Sequence, residues 1–275
     1  MKVRFYGVRG SIATAGEDTQ RYGGNTSCVA VEAAGELLIF DAGTGIRKLG
    51  CDLGPQGVSA SLFFSHLHWD HIQGFPFFVP AFVPGNDIRV HGVACDAGAT
   101  GVRQVLADQM KAPTFPVGME VMRADLRFFD VPLGERIRVG AAEVRHAAVD
   151  HPNGCVAYRV DCGPASVVYA TDLEHEDGKL NHDLIELARG ADLLIYDAMY
   201  TPEEYAGEAG PSRKGWGHST FEAGAEVAEA AGVKNLCLFH HDPGHDDAFM
   251  DSLWARAKKR FARTLVATEG MELAV

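Results

Sequence analysis

Three histidines and an aspartate fall within six residues, H-L-H-W-D-H at 66–71, directly behind the apolar run S-L-F-F-S and ahead of I-Q-G-F-P-F-F. Core-like sequence on both sides puts the cluster at the end of a buried strand. Ionisable groups at that density are costly to bury unless their charge is compensated or a metal is held. Other apolar runs finish the same way: E-V-R-H-A-A-V-D-H at His151, S-V-V-Y-A-T-D at Asp172, L-L-I-Y-D at Asp197 and L-C-L-F-H-H at His240 and His241. A fold that gathers strand ends along one edge would assemble these residues into a site.

The rest of the chain supplies such a fold. K-V-R-F-Y-G-V alternates as a strand and leads into a long Gly/Ser/Thr/Asn loop, R-G-S-I-A-T-A-G-E-D-T-Q-R-Y-G-G-N-T-S. C-V-A-V-E-A-A and E-L-L-I-F-D-A-G read as a hairpin joined at A-A-G-E. Short strands follow at D-I-R-V-H-G-V, D-L-R-F-F-D-V, R-I-R-V-G and C-V-A-Y-R-V-D, with a helix over T-G-V-R-Q-V-L-A-D-Q-M-K-A that starts near Thr100 or Gly101. Later, H-D-L-I-E-L-A-R-G-A, S-T-F-E-A-G-A-E-V-A-E-A-A-G and D-D-A-F-M-D-S-L-W-A-R-A-K-K-R-F-A are helices between strands, and L-V-A-T-E-G-M-E-L closes the chain. The pattern predicts an α/β fold in one domain over residues 1–275: a four-layer αββα sandwich of two mixed β-sheets with outer helices. G-T-G-I-R-K-L-G lacks the third glycine of a dinucleotide fingerprint and reads as a tight turn opening a short helix.

With 275 residues, 47% of them hydrophobic, the chain can bury a core without staples, so a metal here is expected to be catalytic rather than structural. The six cysteines are scattered without a C-x-x-C pair and read as free, mostly buried thiols. A formal charge of −12 disfavours broad capture of nucleic acid. The first residues lack an export signal and no run would span a bilayer, which points to the cytoplasm and to no membrane partner.

Histidine and aspartate ligands suit zinc, and also manganese or iron, and an open site made from them is of the catalytic kind. The full H-x-H-x-D-H signature, together with L-L-I-F-D-A-G-T-G, H-P-N-G-C-V-A-Y-R-V, V-V-Y-A-T-D, G-H-S-T and L-C-L-F-H-H-D-P in that order, resembles the metallo-β-lactamase fold superfamily, most of all its phosphodiesterase branch. That branch includes ribonuclease Z, the carbon–phosphorus lyase pathway phosphodiesterase and enzymes that cleave cyclic nucleotides. The resemblance implies two divalent metal ions, zinc first among the candidates. His66, His68 and His151 would hold one, Asp70, His71 and His240 the other, and Asp172 would bridge them. Asp41 would orient a ligand histidine, and a hydroxide held between the metals would be the nucleophile. Asp70 and His218 would be the catalytic residues, His218 stabilising charge on the phosphate or delivering a proton to the leaving oxygen. A plainer alternative leaves His218 as the neighbour of a helix N-cap at Ser219 or Thr220.

His146 competes with His151 for the ligand role, and the H-P-N-G context favours His151. His241 should point away from His240 on a regular strand. His175 and His245 are expected around the site or at the surface, His91 and His182 in structural roles, and Asp197 in a supporting or structural one. Arg213, Lys214 and Trp216 in the glycine-rich G-E-A-G-P-S-R-K-G-W-G-H-S-T could grip phosphate and stack a base, or could be a solvated loop. Arg9, Arg21 and Asn25 pose the same choice. F-P-F-F-V-P-A-F-V-P is an interface for a possible homodimer, core lining or a substrate wall.

The expected function is hydrolysis of small phosphodiesters, cyclic nucleotides first, without a stable nucleic-acid complex. The alternatives are a ribonuclease Z-type RNA 3′-processing activity, or lactone, thioester or lactam hydrolysis on the same fold. The acidic chain and the want of a basic, glycine-rich insertion between His71 and His151 argue against the RNA reading. A glutamate marks the diiron oxygen-reducing relatives where His68 stands here, which weighs against redox chemistry.

Overall fold

The computed structural model describes residues 1–94, 101–176, 179 and 181–275. The elements run β1 (Lys2–Gly7), β2 (Cys28–Ala33), β3 (Glu36–Phe40), α1 (Ile46–Leu53), β4 (Ser59–Phe64), α2 (Trp69–Ile72), β5 (Asp87–Ala94), α3 (Val102–Gln109), β6 (Asp125–Pro132), β7 (Ile137–Val139) and β8 (Ala142–Val149). They continue with β9 (Cys155–Cys162), β10 (Ala165–Ala170), α4 (His182–Ala188), β11 (Leu193–Asp197), α5 (Pro202–Ala206), α6 (Phe221–Ala231), β12 (Leu236–Phe239), α7 (Asp247–Arg260), β13 (Thr264–Val266) and β14 (Glu272–Ala274). Thr100, one of two expected starts for α3, and Cys95 lie outside the described residues, and Gly101 caps α3.

Two seven-stranded sheets form the centre, ordered β14-β1-β2-β3-β4-β5-β6 and β13-β12-β11-β10-β9-β8-β7. Each has an antiparallel portion that turns parallel: β3 through β6 in the first sheet, β10 through β13 in the second. Parallel strands buried on both faces need largely apolar sequence, and β4 supplies it with five consecutive buried residues from Ala60 to Phe64, Ser61 alone among them polar. The β2–β3 hairpin turns at Ala34 and Gly35, both at positive φ, as a two-residue hairpin turn requires. The closing segment L-V-A-T-E-G-M-E-L divides between the sheets: β13 pairs with β12, while β14 returns to the edge of β1. Two three-residue strands separated by a turn carry too little periodicity to be assigned from sequence.

Hydrophobic burial fills three layers. Between the sheets lie Phe5, Phe40, Phe63, Tyr158, Tyr169 and Phe239 with aliphatic neighbours. Outside the second sheet, α4, α6 and α7 cover Leu194, Tyr196 and Leu238 with Leu184, Phe221, Met250 and Leu253. Outside the first sheet, Ile46, Phe75, Phe78, Ala81 and Leu106 pack on Ile39, Leu62 and Val90. The F-P-F-F-V-P-A-F-V-P stretch is thus mainly core lining, with Phe77 and Val79 left at the surface. Cys28, Cys155 and Cys237 are buried, Cys162 is half-buried and Cys51 exposed, and none of the five is in a disulfide with another described cysteine. No helix among the described residues is long and apolar enough to cross a membrane.

Candidate metal centre

Strand ends deliver most of the site. Asp41 follows β3, Ser65 and His66 follow β4, His151 lies just beyond β8 and Asp172 beyond β10, Asp197 ends β11, and His240 follows β12. His68 precedes α2, whose single turn buries Asp70 and His71. Sites in sheets with parallel strands open at the carboxyl ends of those strands, and here two facing sheets contribute to one opening.

The inward-facing atoms converge tightly. Asp172 Oδ2 lies 3.1 Å from His71 Nε2 and 3.2 Å from His240 Nε2. Its Oδ1 lies 3.8 Å from His66 Nε2 and 3.9 Å from His151 Nε2. Asp70 Oδ2 stands 3.3 Å from His71 Nε2 and 3.4 Å from His240 Nε2. His151 Nε2 is 3.1 Å from His68 Nδ1. The one aspartate therefore turns an oxygen toward each of two groups, His66/His68/His151 and Asp70/His71/His240, and each group's ligand atoms lie within 4.8 Å of one another.

The outward-facing atoms fix the tautomers. His71 Nδ1–H donates to Asp41 Oδ2 at 2.8 Å. Ser65 Oγ–H donates to that same carboxylate oxygen at 2.8 Å and can accept from His66 Nδ1–H at 3.1 Å. Tyr169 Oη–H adds a third bond to it at 2.8 Å. His151 Nδ1–H donates to the Gly217 carbonyl at 2.7 Å. Three imidazoles are thereby left with Nε2 lone pairs pointing inward, the form a metal ligand needs.

Inside the cluster, the Nε2 atoms of His66, His71 and His240 are buried without a hydrogen-bond partner. Orphaned buried imidazole nitrogens beside two carboxylates are expensive, and a pair of divalent cations would satisfy all of them, so the donor set fits such a group. Without cations the charges settle among the residues. Burial works against protonation of His71, but the carboxylates of Asp172, Asp70 and Asp41 outweigh it and raise its pKa well above the usual imidazole range. Burial and the neighbouring His71 push His66 the other way. Asp172 resists its own burial because His240, His71 and His66 surround it, and its pKa is held low.

His218 sits beside both groups. Its ring centroid is 5.0 Å from that of His240 and 5.4 Å from that of His151, and its Nδ1 is 3.8 Å from Asp172 Oδ1. Asp197 Oδ2 accepts from His218 Nδ1–H at 2.9 Å, while Asp197 Oδ1 accepts from the backbone N–H of Met199 at 3.0 Å. Burial opposes the charged ring, yet Asp197 prevails and raises the His218 pKa to about 9. Thr220 is indeed the N-cap of α6 and accepts from Ala223 N–H, so the capping role belongs to Thr220 and leaves His218 facing the site.

Backbone groups complete the centre and carry little mark in the sequence. Ser11 N–H donates to Asp70 Oδ2 at 2.7 Å. A Cβ on Gly10 would meet the His240 ring at 2.5 Å, and one on Gly217, whose φ is +84°, would meet His151 Nδ1 at 2.4 Å. Among the described residues, six non-glycine positions have positive φ, and five of them touch or form the site: Ser11, Asp41, Asn153, Asp172 and His240. The sixth, Ala34, turns the β2–β3 hairpin. Such backbone strain gathers where function over-determines geometry.

Five of the remaining histidines are tied elsewhere, while His182 is exposed at the start of α4. His146 Nε2 meets the Gly134 N–H, and its ring packs on Tyr158. His91 stacks between Phe63 and Phe129. His241 Nε2–H donates to the Ala267 carbonyl, His175 meets Ser219 Oγ, and His245 meets Glu204. His241 does face away from His240, although β12 has already ended at Phe239 and His240 is left-handed rather than strand-like. The Arg9 guanidinium is fully buried and bonds the carbonyls of Gly23, Asp242 and His245, so it staples two loops and is closed to a ligand. Arg21 pairs with Asp251, and Asn25 bonds Glu269.

A sandwich of two sheets with a histidine and aspartate centre at their shared edge defines a metal-dependent hydrolase. Residues 38–241 match the family model described as the beta-lactamase superfamily domain, and the chain belongs to that family. It is similar to the ribonuclease Z of Haloarcula marismortui, 27% identical in an alignment covering 99% of this chain and 96% of the relative. Among solved structures it is similar to the metallo-beta-lactamase fold protein YhfI from Bacillus subtilis, with a TM-score of 0.73, 20% identity, and 99% and 98% of the two chains covered. The short form of human tRNase Z overlays with a TM-score of 0.67 at 18% identity, covering 100% of this chain and 99% of the other.

Proposed function

We propose that this chain is a phosphodiesterase that works with two divalent cations, one held by His66, His68 and His151, the other by Asp70, His71 and His240, with Asp172 between them. When bound, the cations would supply Lewis acidity, lowering the pKa of a water and neutralising phosphoryl oxygens. The observation that carries the phosphodiester reading is the His218–Asp197 pair beside both ligand groups. Asp197 orients the ring and favours its charged form, so His218 can donate to a phosphoryl oxygen or to the departing one. An ester or lactam carbonyl, with a single developing oxyanion, makes less use of a protonated imidazole in that place.

On substrate, the curated relative supports RNA over the cyclic nucleotide expected from the sequence, because it is named a ribonuclease. The expectation of no nucleic-acid partner is at odds with it too. We therefore place ribonuclease Z-type cleavage of an RNA 3′ extension first. A small phosphodiester is the second reading, on one specific ground. The alignment with the Haloarcula enzyme runs over 316 positions while this chain has 275 residues, so at least 41 positions of the alignment have no counterpart here. The chain also carries 37 acidic against 25 basic residues, a poor balance for gripping a large polyanion.

The test offers metal-loaded protein precursor transfer RNA, a cyclic-nucleotide panel, bis-p-nitrophenyl phosphate and a chromogenic lactam. Cleavage of the precursor at its 3′ side supports the first reading. Turnover of the small diesters alone supports the second. Turnover of the lactam alone removes both.

A further inference from the structure

Two exposed tryptophans border the metal centre: Trp69, 75% exposed and one residue before Asp70, and Trp216, 53% exposed and two before His218. Trp216 does not hang on a loose loop. Glu174 accepts the N–H groups of Gly215 at 2.6 Å and Gly217 at 2.8 Å, one through each oxygen, so the backbone is held on both sides of the tryptophan. Tyr205 Oη–H donates to the same carboxylate at 2.8 Å. The Arg213 guanidinium lies over the indole at 4.5 Å and also reaches the Tyr200 ring at 5.8 Å. Tyr200 in turn meets His218 edge-on, with centroids 5.9 Å apart. A chain of ring and guanidinium contacts thus runs from His218 outward to Trp216. Among the described residues, Arg213 pairs with no carboxylate, which is unusual for a half-buried arginine in an acidic protein.

A rigidly presented indole about half open to solvent, backed by a guanidinium that pairs with no described carboxylate, matches the way proteins hold nucleobases: the ring stacks and the cation attends the phosphate. We propose that Trp216, braced by Arg213, is the stacking platform for the base next to the scissile phosphate. The proposal rests on the phosphodiesterase reading and is indifferent to whether the nucleotide is free or part of an RNA.

Calorimetric titration of metal-loaded protein with AMP and with ribose 5-phosphate tests it, since the two ligands share sugar and phosphate and differ in the base. AMP is expected to bind about fivefold to a hundredfold more tightly. In Trp216→Ala the two affinities should come within about twofold of each other, while Trp216→Phe keeps most of the preference and Arg213→Lys, which loses the planar brace, keeps less. Equal binding of the two ligands by the parent protein, no measurable AMP binding, or a Trp216→Ala variant that still prefers AMP would each overturn the proposal. Hydrolysis of bis-p-nitrophenyl phosphate, followed in parallel, separates the two claims. Turnover without a base preference removes the platform alone. A base preference without turnover of any diester supports the platform and removes the reaction.

Discussion

Asp197 illustrates what a single carboxylate can do by fixing a neighbouring ring. It holds His218 through Nδ1 and is itself held by the Met199 N–H, so the imidazole has one orientation. Replacing Asp197 by Asn keeps the shape and removes the charge. Turnover of Asp197→Asn is expected to fall by about two orders of magnitude, with the metal content per chain unchanged. A parallel loss of metal, measured by elemental analysis, would instead assign Asp197 to the ligand set. At this scale the sequence was only partly legible. The six side chains of the two groups, Asp172 and Asp41 stand out because each ends an apolar run or lies in the signature, and the resemblance implied their roles. The Asp197–His218 pairing does not, because the partners are 21 residues apart on different elements and only the packing of β11 against the loop before α6 brings them together. The Ser11 N–H and the Gly10 floor were invisible for a different reason: backbone donors and close approaches leave no residue-type signal.

At the level of elements, the short helices are held by their caps rather than by length, as helices of one or two turns must be. α5 has a full capping box, in which Thr201 Oγ1 accepts from Glu204 N–H and Glu204 Oε2 accepts from Thr201 N–H. Glu204 also meets His245 at 2.9 Å. Partial burial would raise the Glu204 pKa, but the His245 and Thr201 hydrogen bonds overcome it and lower the value from 4.5 to about 2. A depressed carboxylate stabilises the fold above its unfolded pKa, and that contribution drains away as pH falls from about 4.5 toward about 2. Glu204→Gln should therefore cost about 1 kcal/mol at pH 7, after allowance for its partial exposure. Urea midpoints of metal-free parent and variant should differ at pH 7 and draw together below about pH 4. A gap that stays constant with pH would mean the cap works through shape alone. The elements themselves were mostly readable, since β4, β10, β11 and β12 carry predominantly apolar runs. The split of β13 and β14 between sheets was not, because each offers only three residues of pattern.

The whole molecule is built so that its metal centre is an addition to an already sufficient core. Three hydrophobic layers run through it, and the histidine and aspartate cluster stands at one edge of them. Chelation is expected to leave the far-ultraviolet circular dichroism unchanged and to lower the melting temperature, each ion contributing about 3 kcal/mol when present at a hundredfold excess over its dissociation constant. Collapse of the spectrum on chelation would show the ions to be structural. The left-handed backbone at Ser11, Asp41, Asp172 and His240 sets a limit on how far such a molecule could be hardened. Asp172 and His240 point their side chains at the centre and Asp41 orients a ligand, so relaxing any of those torsions with glycine would discard the group that justifies it. Ser11 alone serves through its amide. Ser11→Gly should raise the melting temperature by the equivalent of up to about 1 kcal/mol with turnover intact. Thermal robustness and catalytic competence thus compete over three backbone angles and part company at the fourth, which is where an engineer seeking a sturdier version should begin.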